Sequence, residues 1–107
     1  MRIAVAAGPE TVPAEMERST RLLVLETDDG SILAERPGPD PLGFAALALQ
    51  YDCEAAACGK IADPAAFARL AENGVTRYFA PGLAPLDAAR QAEAGTLPIQ
   101  TRINEIK

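Results

Sequence analysis

Few side chains in this 107-residue sequence could carry out chemistry, and histidine is absent. That removes the commonest metal ligand and the commonest general base at neutral pH. Catalysis would fall to carboxylates, Lys60, Lys107, a cysteine or a tyrosine. The two cysteines, Cys53 and Cys58, are five positions apart. This is not CxxC spacing, and without histidine one chain cannot assemble a four-ligand zinc site. Cys53 reads as a small core hydrophobe. Cys58 falls at the end of a short apolar segment, Ala55 to Cys58, followed by Gly59-Lys60. Open α/β sheets bind ligands at such strand ends, so Cys58 reads as a candidate ligand or reactive thiol.

Gly59-Lys60 before a capped helix also suggests an anion site, because helix N-termini offer free N–H groups. A phosphate loop needs GxxxxGK[ST], and this loop has one glycine. A two-metal nuclease needs clustered carboxylates, and the opening segment Arg2 to Ala7 has none. A cysteine hydrolase needs a base beside its nucleophile, and no histidine is there to serve. The cluster Glu15-Met16-Glu17-Arg18 is either a solvated loop or a second wall of the Cys58 site.

The elements that would position these residues follow from local pattern. Arg2 to Ala7 is a short apolar strand. A polar loop of about a dozen residues follows, a length more often functional than shorter connections. Arg21 to Thr27 and Ser31 to Arg36 flank Asp28-Asp29-Gly30, a hairpin signature. Pro37-Gly38-Pro39 ends that ladder. Asp40-Pro41 and Asp63-Pro64 are each an N-cap followed by a proline at the first helical position. The first helix should bury a stripe of Leu42, Ala45, Ala46 and Leu49, with Phe44, Leu47 and Ala48 making a second apolar side. The second, Pro64 to Asn73, should bury Phe67, Leu70 and Ala71, and Gly74 stops it. Val75 to Ala80 is a strand, and Pro85 to Ala94 is a third helix closed by Gly95. Thr96 to Lys107 reads equally as strand or helix.

The order is three strands, then helix, strand, helix, strand, helix. The crossover rule places the later strands parallel to each other and to the first. The expected fold is α/β, a mixed five-stranded sheet with helices on both faces, and ribonuclease H-like is the simplest architecture with this order.

The length fits one domain, residues 1–107. The net charge of -5 argues against duplex nucleic acid, whose binding leans on Lys and Arg contacts to phosphate. No segment reaches the roughly 18 apolar residues of a membrane span. Met1 to Val5 lacks the apolar run of a signal peptide. A cytoplasmic protein with reduced thiols is the expectation.

Across nearly its whole length the sequence resembles the dinitrogenase iron–molybdenum cofactor binding and biosynthesis family, of the NifX and NifB C-terminal type. RIAVAA is similar to that family's MKIAVAS-type first strand. EMERSTRLLVLET, from Glu15 to Thr27, aligns without gaps on its HFGRAxxFxIxD-type segment. AAACGKIADPAAFARL, from Ala55 to Leu70, resembles its strand–GGIG–helix segment. Asn73-Gly74-Val75 and Ala94-Gly95-Thr96-Leu97 match its closing motifs.

The resemblance implies a ribonuclease H-like fold and a non-enzymatic carrier or accessory protein. Such a protein would hold iron–molybdenum cofactor or an iron–sulfur precursor, with nitrogenase or cofactor-assembly proteins as partners. It places the site at Cys58, Gly59, Lys60, Arg18, Met16 and Glu15, with Cys58 as the metal ligand. The chain departs from the family in two places. Glu15-Met16-Glu17 replaces HFG, removing the histidine ligand, and Gly59-Lys60-Ile61-Ala62 keeps one glycine of GGIG. The alternative is a degenerate member that serves as a protein–protein interaction module without a cofactor.

Overall fold

The computed structural model of the chain describes residues 1–103. Lys107 and the end of the segment from Thr96 lie outside the described residues. The strands are β1 (Arg2–Ala7), β2 (Arg21–Glu26), β3 (Ile32–Pro37), β4 (Ala55–Cys58) and β5 (Thr76–Phe79). The helices are α1 (Pro41–Gln50), α2 (Pro64–Glu72) and α3 (Pro85–Ala94). One mixed sheet has the order β3-β2-β1-β4-β5. β1 pairs antiparallel with β2, and β2 with β3. β4 lies parallel to both β1 and β5. The α/β class, the mixed five-stranded sheet and the helices on both faces are as expected.

The period-2 alternation of side chains divides the core into two layers. Ala4, Ala6, Leu22, Val24 and Ala56 join Phe44, Ala48 and Leu70 on the α1–α2 side. Ile3, Val5, Leu23, Leu25 and Ala57 join Ala88, Ala89 and Ala92 on the α3 side. The alanines of β1 and β4 are fully buried. Small residues there let helices approach the sheet closely at native packing density.

Both proline-led caps form. Asp40 accepts from the Gly43 N–H at 2.9 Å, and Asp63 from those of Ala65 and Ala66 at 2.9 and 3.0 Å. α3 has no side-chain cap at Ala84 and ends on Gly95 in the left-handed region at φ 72°.

Two packing expectations change. α1 buries Phe44, Ala45, Leu47 and Ala48, whereas Leu42 is 50% exposed and Ala46 also faces solvent. Both sides of this helix are apolar, so its own sequence does not choose the buried side; the sheet does. α2 buries Ala66 and Leu70, leaving Phe67 half-buried and Ala71 exposed. Arg77 of β5 stacks over the Phe67 ring at 4.9 Å and occupies that flank.

Candidate functional site

The carboxyl ends of β1, β4 and β5 point the same way, so the residues following them form one rim. The loop after β1 crosses this rim and is bonded to it through main-chain atoms. The Lys60 N–H donates to the Ala14 carbonyl at 2.9 Å, and the Lys60 carbonyl accepts from the Met16 N–H at 3.0 Å. Glu15 and Lys60 therefore face each other as a parallel bridge. Further along, the Val12 N–H donates to the Leu83 carbonyl and the Gly82 N–H to the Val12 carbonyl, both at 2.8 Å. The loop thus spans the ends of both β4 and β5.

Gly59 lies beneath this crossing. A Cβ built there would stand 2.3 Å from the Pro13 carbonyl oxygen and 2.6 Å from Ala14 backbone atoms. The glycine permits close approach of two backbones.

The backbone donors ahead of α2 that could bind an anion are already used. The Ile61 N–H donates to Gln100 Oε1 at 3.0 Å, and the Ala62 N–H to Glu17 Oε1 at 3.0 Å. With Asp63 holding the first turn of α2, the chain's own carboxylates occupy the place that helix N-termini offer to anions. The arrangement is therefore not a phosphate loop.

The structure brings the candidate residues to one rim but exposes only some of them. Glu15 and Arg18 are exposed and paired with each other at 3.4 Å. The Lys60 side chain is half-buried. Met16 is buried at 1% exposure and belongs to the α1–α2 core. Cys58 is fully buried, also on the α1–α2 side. Burial pushes its thiol up to about 12. Cys53 is a buried core residue, as expected, and desolvation raises its thiol to about 11. Thiols held protonated in this way are poor nucleophiles and poor metal ligands.

Gln100 covers Cys58. Its side-chain Nε2 donates to the Gly59 carbonyl at 3.1 Å and lies 3.8 Å from Cys58 Sγ. Neither Gln100 nor the Glu17 contact was identified from sequence. The alternation of Leu97, Ile99 and their neighbours was the available signal for an extended segment. Ile99 makes an isolated antiparallel bridge to Tyr78 on the outer edge of β5. This resolves the strand-or-helix ambiguity at that residue.

Beside the crossing, Gly8, Pro9, Glu10, Thr11, Pro13 and Arg18 line an open cavity of about 350 Å³. Among the described residues, no group of three or more His, Cys, Asp or Glu side chains could hold a metal ion.

No family model matches the sequence, and no curated protein matches it. Solved structures do match. The apo form of the orange protein from Desulfovibrio gigas is 19% identical, with a TM-score of 0.75 over 97% of this chain and 96% of that one. The likeness is one of fold. A protein from Thermotoga named for NifB is 18% identical, with a TM-score of 0.72 over 99% of this chain and 98% of that one. A protein from Methanocaldococcus jannaschii named as a dinitrogenase is 14% identical, with a TM-score of 0.70 over 95% and 96%. The shared fold runs along nearly the whole of each chain. It assigns no ligand to the rim.

Proposed function

We propose that this chain is a non-enzymatic accessory protein of nitrogenase cofactor assembly, working through contact with nitrogenase or an assembly protein. The whole-chain motif resemblance and the fold shared with proteins named for NifB and dinitrogenase support the context. The strand order is read as the ribonuclease H-like arrangement. The observation that carries the mode of action is the closure of the rim. The Gly8–Arg18 loop is bonded onto Lys60, and Gln100 lies over Cys58. In this closed form Cys58 does not open onto a ligand crevice, and the rim offers its surface to a protein.

A second reading is favoured by one feature, the gathering of Cys58, Lys60 and Arg18 at a single rim. On that reading the chain carries iron–molybdenum cofactor or an iron–sulfur precursor. Cys58 would supply the soft thiolate, while Lys60 and Arg18 would face the anionic cluster. It requires the rim to open, because a thiolate must reach the metal. Pull-down from a nitrogen-fixing lysate with purified nitrogenase components as competitors tests the first reading. Capture that those components compete away supports it; capture that they leave unchanged counts against it.

A further inference from the structure

The segment that covers Cys58 is attached in an unusual way. Among residues 96–103, Gln100 is the one buried residue, and it is polar. Ile99 is 46% exposed, Leu97 is half-buried, and Pro98 faces solvent. The segment therefore has no fully buried apolar anchor. Hydrogen bonds hold it instead. The Phe79 N–H donates to the Pro98 carbonyl at 2.8 Å and the Gln100 N–H to the Arg77 carbonyl at 2.7 Å. An Arg77 guanidinium nitrogen donates to the Gln100 carbonyl at 3.1 Å. The Gln100 amide adds contacts to Ile61, Gly59 and Cys58.

Each such bond contributes little net free energy, because water replaces it on opening. Segments with few buried apolar contacts open well below the cost of global unfolding. α3 ends at the left-handed Gly95, and Thr96 still bonds the Gln91 carbonyl, so residues beyond Thr96 can leave without unwinding the helix. Beneath the segment lie groups that are otherwise sealed: the Cys58 thiol, the Gly59 carbonyl and the Ile61 N–H.

We infer that Pro98–Gln100 is a latch on the rim, an edge segment whose local detachment from β5 exposes Cys58 and the start of the α2 loop. The isolated chain holds the latch shut and opens it rarely. An opened rim is what the carrier reading needs, but the latch itself rests on this geometry alone. Its test uses no cofactor, so the two can fail separately.

The test is the rate of Cys58 alkylation by iodoacetamide at fixed pH, followed by peptide mass spectrometry, in the full chain. Global unfolding is measured in parallel with urea. Wild-type Cys58 should react faster than global unfolding allows. Gln100→Ala should react faster still, by on the order of tenfold, because it removes the side-chain bonds of the latch. A locking variant removes ambiguity about folding. Tyr78 and Ile99 form a non-hydrogen-bonded pair, since the bonds are made by their neighbours. Such pairs bring Cα atoms to about 4.5 Å, within reach of a disulfide. Oxidised Tyr78→Cys/Ile99→Cys should slow Cys58 alkylation to the global-unfolding rate. Equal rates in wild type and the locked variant, or in wild type and Gln100→Ala, would overturn the latch.

Discussion

Glu15 and Lys60 lie side by side as a parallel bridge, joined through the main chain on either side of Glu15. This contact places the loop after β1 directly on the loop after β4. Two segments expected to form opposite walls of a crevice instead touch, and Gly59 is the residue that lets them do so.

Gly59→Ala should therefore destabilise the protein strongly. The new methyl would collide with the main chain of Pro13 and Ala14, not with a side chain that could rotate away. A loss of about 1–3 kcal/mol is expected from overpacking of this kind, read as a lower urea midpoint. A loss below about 0.5 kcal/mol would show that the crossing yields easily.

Asp63→Ala should cost about 1 kcal/mol, because it strips the acceptor from the Ala65 and Ala66 N–H groups at the start of α2. Asp40→Ala should cost a similar amount at α1. Asp63→Asn should recover much of the loss, since asparagine caps nearly as well. Denaturation of these variants checks both the size and the rescue.

These caps were legible in the sequence because a cap spans only two or three residues. The Asp-Gly hairpin and the layered order were legible for the same reason. The closure of the rim was not. The bonds joining Lys60 to Ala14 and Met16 are main chain to main chain, and such bonds leave no mark on side-chain pattern. Gly59 read as the one glycine kept of a GGIG-type loop and as part of a candidate anion site, whereas its role is steric. Cys58 was correctly placed at a strand end, but it lies in the α1–α2 core and meets Gln100, far away in the chain and in a segment with no decisive periodicity. The buried side of α1 was ambiguous because Leu42 and Phe44 are equally apolar.

Alkaline pH should weaken the fold through Cys58. Its thiol ionises at an ordinary 9.0 when exposed and at about 12 in the fold. The folded value is the higher one, so the stabilising contribution is complete below pH 9.0 and is lost as pH rises toward about 12. Within that window the thiol contributes a slope of about 1.4 kcal/mol per pH unit. Cys58→Ala should show a shallower fall in stability between pH 9 and 11 than wild type, roughly by that slope. Parallel curves would place Cys58 in a more polar setting than the core it occupies here.

The same burial should keep Cys58 unreactive near neutral pH. Mixing native protein with a disulfide reagent at pH 7.5 should leave Cys58 mostly unmodified over minutes, with full reaction after denaturation. Immediate, complete reaction of native Cys58 would contradict its position beneath Gln100.

The rim of the isolated chain is closed, with Cys58 buried away from ligands. Anaerobic incubation of the purified chain with extracted iron–molybdenum cofactor, followed by gel filtration and iron and molybdenum analysis, tests it most directly. Wild type and Cys58→Ser are predicted to retain the same low metal content. Stoichiometric metal on wild type that Cys58→Ser fails to hold would show instead that the rim opens to take a cluster on Cys58.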